Sequence, residues 1–138
     1  MMGDKQQFRK EKEQTVNFLY CHFLQRPILD VIIASGREKG SESCPLLYYW
    51  HGKAYWGAAH GLSGIIHCLL HFPLEEEDEK TVKSVLKYMI KNRFVESKNY
   101  PSRLENKEDK LVQWCHGAPG VALTLCKAAE VCLPTVLH

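Results

Sequence analysis

Two short stretches of this chain join an imidazole to the glycines of a tight turn. The first is Gly57-Ala58-Ala59-His60-Gly61-Leu62-Ser63-Gly64, and the second is Trp114-Cys115-His116-Gly117-Ala118-Pro119-Gly120. Both have the form His-Gly-x-x-Gly, with His60 and His116 placed 56 positions apart. Each opens an apolar run that reads as a buried helix. An imidazole at such a turn can move a proton, and free backbone N–H groups at a helix start can hold an anion or a developing enolate. The plainer alternative is that His60 caps its helix and bonds a neighbouring turn. Cys115 sits ahead of a helix N-terminus, a setting that lowers a thiol pKa and suits metal ligation. Zinc needs three protein ligands at a catalytic site and four at a structural one, and no Cys-x-x-Cys pair supplies the rest. His22, His51, His67, His71 and His138 offer no spacing that would complete a site.

The elements that must position these residues follow from periodicity. A helix is predicted over residues 6–24, with Val16, Leu19, Tyr20, Phe23 and Leu24 on one side. Pro27 interrupts or restarts it, and residues 28–35 continue with Gly36 as the C-terminal stop. Residues 37–44 read as a loop, and 46–56, rich in Tyr and Trp, as an aromatic loop rather than a hairpin. Residues 62–72 are apolar nearly all round, the mark of a buried helix. Residues 76–93 carry Val82, Val85, Leu86, Met89 and Ile90 as a single helical stripe. Acidic residues 75–79 precede Lys80, Lys83, Lys87 and Lys91, an order that complements the helix dipole and predicts a solvated face. A polar loop over 94–113 leads to a last apolar helix over 117–133. Buried helix, exposed helix, loop, buried helix is the pattern of a helical solenoid or toroid, so the fold class is all-α. It is one structural unit repeating, with its special residues at one end.

Composition narrows the function. The 138 residues suit one domain, and 45% hydrophobic with 25% charged is ordinary for a globular chain. A net charge of +2, interspersed in sign, argues against nucleic acid or an anionic membrane as partner. No apolar run is long enough to span a membrane, and the polar start, residues 1–12, is no secretory signal. The expectation is a cytoplasmic protein whose six cysteines are reduced. Cys68, Cys126 and Cys132, inside apolar helical runs, read as small buried hydrophobes.

The two motifs, with Pro45-Leu46-Leu47-Tyr48-Tyr49 before the first and Asn99-Tyr100-Pro101 before the second, resemble the lanthionine synthetase C-like (LanC-like) family of eukaryotes. The resemblance runs over residues 28–132, flanked by a divergent segment 1–27 and an atypical tail 133–138 of the same single domain. It implies a toroid of helical hairpins, seven inner and seven outer helices, with zinc at one end. It implies a chemistry too: zinc-assisted addition of a thiol, that of glutathione, to dehydroamino acids in peptides and proteins. On this resemblance Cys115 is the first zinc ligand, His60 handles the proton of the enolate-like intermediate, and His116 lies behind the ligands.

The family's other two zinc ligands form an adjacent Cys-His pair in a third glycine-rich turn. Here Cys132 is followed by Leu133 and Pro134. The expectation is therefore a partial toroid, inactive alone, with open repeat edges through which it self-associates. The competing reading is a non-catalytic helical module that binds glutathione or a protein. A carbohydrate enzyme on a similar ring would need paired carboxylates on inner loops. The acidic residues lie instead on the outer helix and in the polar loop.

Overall fold

The computed structural model describes residues 2–132; residue 1, the tail 133–138 and the side chains of residues 2–5, 8, 11, 17, 18, 21, 22 and 132 lie outside the described residues. The chain divides into two compact units, Met1–Ile32 and Ile33–His138.

The first unit holds α1 (Met2–Tyr20), a π-helical turn (Cys21–Gln25) and the start of α2 (Arg26–Lys39). The break falls where Pro27 demands it. Proline lacks an N–H and its ring collides with the preceding turn, and the widened π turn just ahead removes both conflicts. Arg26 and Asp30 pair at 2.6 Å along α2.

In the second unit α2 does not stop at Gly36 as the sequence suggested; it runs on to Lys39. Gly36 is there for space, because a Cβ on it would stand 2.5 Å from the Tyr48 hydroxyl. The aromatic segment that follows is a loop apart from two isolated bridges, Trp50 with Lys53 and Tyr55 with Arg103. Trp50 and Lys53 exchange backbone hydrogen bonds at 3.0 and 3.1 Å. His51 and Gly52 between them take φ of 49° and 70°, the two positive values of a two-residue type I′ turn.

Three helices complete the unit: α3 (Leu62–Leu69), α4 (Glu76–Lys91) and α5 (Ala118–Cys132). Among the described residues there are isolated β-bridges but no strand, so the fold class is all-α. No helix there is long and apolar enough to cross a membrane. α4 buries Val82, Val85, Leu86 and Met89, while Ile90 at the end of the stripe stays exposed. Its acidic start is not wholly solvated. Asp78 is 4% exposed and takes a hydrogen bond from Arg37 Nη2 at 3.1 Å. A buried carboxylate needs such a partner, and α2 supplies it.

α3 and α5 lie side by side, joined by a buried polar clasp. The Ser63 and Thr124 hydroxyls are 2.8 Å apart, and Thr124 Oγ1 donates to the Ser63 carbonyl at 3.0 Å. Leu62, Ile66, Leu69 and Val121 fill the core around it. Neither helix is buried all round. Leu123 is 53% exposed, and Cys68 and Cys126, read from the sequence as buried, are exposed free thiols. An apolar circumference is covered only where a neighbour lies against it: α5 packs on α3, with Thr124 at the contact, and its buried residues include Val121, Thr124 and Ala128.

The candidate site at the paired glycine turns

The segments leading into α3 and α5 come together. Gly57 touches the second motif so closely that a Cβ would meet the Cys115 carbonyl oxygen at 1.8 Å. A glycine is the side chain that permits such an approach. The two turns also share their internal geometry. A Cβ on Gly64 would lie 2.1 Å from the Ala58 oxygen, and one on Gly120 would lie 2.1 Å from the Trp114 oxygen. Each pair spans six residues, so the repeat legible in the sequence is a repeat in space.

This packing places His60 beside His116, with ring centroids 6.1 Å apart. Two aromatic side chains frame them. Trp50, carried on the type I′ turn, stacks on His60 at 4.6 Å and 29°. Tyr55 stands edge-on to His60 and tilted to His116, 5.9 Å from each. Trp50 and Tyr55 drew no attention as site residues in the sequence, although a two-residue x-Gly turn close to the motif was a usable signal. His60 is exposed, and its ring contacts are aromatic rather than hydrogen bonds among the described residues.

Both sequence readings of His60's turn need correction. The N–H groups that open α3 are not free to bind an anion. Leu62 N donates to Tyr55 O at 2.9 Å, Ser63 N to Trp56 O at 3.0 Å and Gly64 N to Gly57 O at 3.4 Å. A helix start enclosed by protein must satisfy its orphan donors, and the chain does so with its own preceding carbonyls. Nor does His60 cap the helix: the cap residue is Gly61, without a side-chain bond.

The second turn is held by Asn99, 3% exposed, from the polar loop. Its Oδ1 accepts from the Ala118 N–H at 2.7 Å, and its Nδ2 donates to Asp109 Oδ1 at 2.6 Å and Leu111 O at 3.0 Å. The first bond ties the loop to the turn, and the other two close the loop on itself. Hydrogen bonds from the Ser97 side chain first, and Asn99 second, hold the Asp109 carboxyl below its ordinary value. The loop also docks on the aromatic segment, where Leu104 N donates to Ala54 O at 2.8 Å and Trp56 N to Ser102 O at 3.1 Å.

Cys115 is half-buried beside His116, and its thiol donates to Gln113 Oε1 at 3.4 Å. Among the described residues no three His, Cys, Asp or Glu side chains are placed to share a metal ion. Three-ligand zinc therefore does not fit the donors that these residues bring together, and no step below runs through a metal. The His116 Nδ1 is buried without a partner.

Helices joined through glycine-rich turns, with His60, Cys115 and His116 gathered where those turns meet, define a helical-repeat protein. The chain belongs to the lanthionine synthetase C-like protein family, whose model matches residues 11–137. It is 56% identical over 110 residues to LanC-like protein GCL1 of Arabidopsis thaliana, an alignment covering 78% of this chain and 25% of that protein. It is 37% identical over 134 residues to Glutathione S-transferase LANCL1 of Danio rerio, covering 91% of this chain and 31% of that protein. The chain thus spans a quarter to a third of the length of these relatives.

Proposed function

We propose that this chain forms part of a LanC-like site that adds the thiol of glutathione to dehydroamino acids in peptides or proteins. One observation carries the reading: the two motif turns pack together and bring His60 and His116 within 6.1 Å, next to Cys115. The glutathione S-transferase name of the Danio rerio relative supports glutathione as the thiol.

In the reaction the glutathione sulfur, as thiolate, forms a bond to Cβ of dehydroalanine or dehydrobutyrine. The π pair moves to the carbonyl as an enolate, and Cα then takes a proton to leave a thioether. His60 delivers that proton: it is exposed, and it is held by the Trp50 stack without a hydrogen bond that would have to break first. His116 stands close enough for a second imidazole to orient the acyl oxygen. Tyr55 spaces the two rings and screens one side of them from water.

Cys115 serves as the first zinc ligand, the remaining ligands coming from outside the described residues. The chain alone does not turn over.

The test is glutathione addition to a dehydroalanine peptide, followed by mass spectrometry, with glutathione binding measured in parallel. No thioether from the chain alone is expected. A clean rate from the chain alone would overturn the claim that it is inactive. Glutathione bound with neither turnover nor zinc would favour the binding-module reading.

A further inference from the structure

The remaining histidines hold a feature that the proposed chemistry does not use. His67 and His71 are four residues apart, the last turn of α3 and the turn that closes it. That backbone is fixed by Leu70 N to Ile66 O at 3.0 Å, His71 N to Cys68 O at 3.1 Å and Phe72 N to Leu69 O at 3.2 Å. Their rings stand 4.7 Å apart at 62°. The spacing has chemical meaning. With metal–nitrogen bonds of about 2.0–2.1 Å, two imidazoles sharing one ion have centroids roughly 4.7–5.2 Å apart. The sequence reading found no ligand spacing here; the i, i+4 relation brings both rings to one face of the turn.

Hydrogen bonding prepares the pair. His71 Nδ1 lies 2.8 Å from the His67 carbonyl oxygen. A carbonyl only accepts, so Nδ1 carries the proton and Nε2 keeps its lone pair. Ligating imidazoles are oriented in this way by the bond that the other nitrogen makes. On His67, Nδ1 is shielded from solvent and has no hydrogen-bond partner. Glu130 on α5 is taken up by Lys127, its carboxylate 3.2 Å from Lys127 Nζ.

We propose that His67 and His71 form a two-imidazole chelate for a divalent first-row transition-metal ion, separate from Cys115, with water completing the coordination. Imidazole donors suit nickel, copper and zinc. This site does not depend on the thiol-addition reading.

Ni²⁺ is the probe, added to the untagged chain and followed by calorimetry and by paramagnetic broadening of amide signals. One ion is expected to bind, with broadening centred on His67, His71 and the facing turn of α5. His71→Asn, at an exposed position, should weaken binding by at least about tenfold. Cys115→Ser and His60→Asn should leave it unchanged. Undiminished Ni²⁺ affinity in His71→Asn, or broadening centred on His60, Cys115 and His116, would overturn the proposal. Neither result bears on glutathione addition.

Discussion

Gly57 sits against the carbonyl of Cys115, so closely that a single added carbon would stand 1.8 Å from that oxygen. Through this contact the first motif learns where the second one is. His60 follows Gly57 by three residues, and His116 follows Cys115 directly, so the approach of two backbones sets the spacing of two imidazoles. No side-chain bond is needed between the histidines. The site is assembled by the absence of a Cβ.

Gly57→Ala should therefore act on both stability and site. Backbone lies on either side and cannot swing away, so the overpacking cost is about 2–3 kcal/mol. A fall in melting temperature on the order of 10 °C is expected. In whatever fraction stays folded, contacts between the His60 and His116 rings should vanish from NMR spectra. A variant that melts like wild type and keeps them would show that the turns dock by other means.

Asn99 offers a sharper dissection, because its two ends do different work. Asn99→Ala orphans the Ala118 N–H and the Leu111 carbonyl and should cost about 2–4 kcal/mol. Asn99→Asp keeps an acceptor for Ala118 but loses both donor bonds and places a carboxylate beside Asp109. Hydrogen exchange should then show the start of α5 still protected and residues 100–111 opened. Equal exposure of both regions would mean that loop and helix unfold as one piece.

How much of this was legible beforehand depends on the range of the interaction. The stripe Val82–Val85–Leu86–Met89 is local and periodic, so α4 could be read directly. The repeat of His-Gly-x-x-Gly pointed to one shared end of the helices. Gly36 was misread because glycine commonly ends helices, whereas its reason here is Tyr48, twelve positions on. The opening N–H groups of α3 were thought free because the carbonyls of Tyr55 and Trp56 reach them only after the turn has folded. Trp50 depends on a positive-φ turn that swings it onto His60. Cys68 and Cys126 show the converse limit: apolar surroundings in sequence do not guarantee a neighbour in space.

Acid should loosen the polar loop before the helices. The Asp109 carboxyl is held below its ordinary value in the folded chain, by Ser97 first and Asn99 next. A depressed folded value means a contribution fully present above the unfolded carboxylate value, near 3.9, and lost as pH falls through the folded one. Amide exchange over residues 97–111, extrapolated to a common intrinsic rate, should rise as pH falls below about 4. In Asp109→Asn that pH dependence should flatten. An unchanged profile in the variant would assign the acid response to another carboxylate.

The cysteines should separate by reactivity in the native state. Burial pushes the Cys44 thiol up to about 11 against a smaller opposing backbone contribution at Leu46, and its Sγ–H donates to the Leu46 carbonyl at 3.2 Å, a bond that only the protonated form can make. The thiolate is the nucleophile, so at neutral pH Cys44 is both shielded and protonated. Cys68 and Cys126 are exposed on α3 and α5. A brief pulse of iodoacetamide, mapped by mass spectrometry, should label these two and spare Cys44, which should react only once denaturant unfolds the chain. If Cys44 reacts alongside Cys68, the segment joining α2 to the Trp50 turn opens without global unfolding. If Cys68 and Cys126 are spared instead, another surface covers α3 and α5. Dilution would then tell a second copy from an intrachain cover, because only the former releases the two thiols as concentration falls.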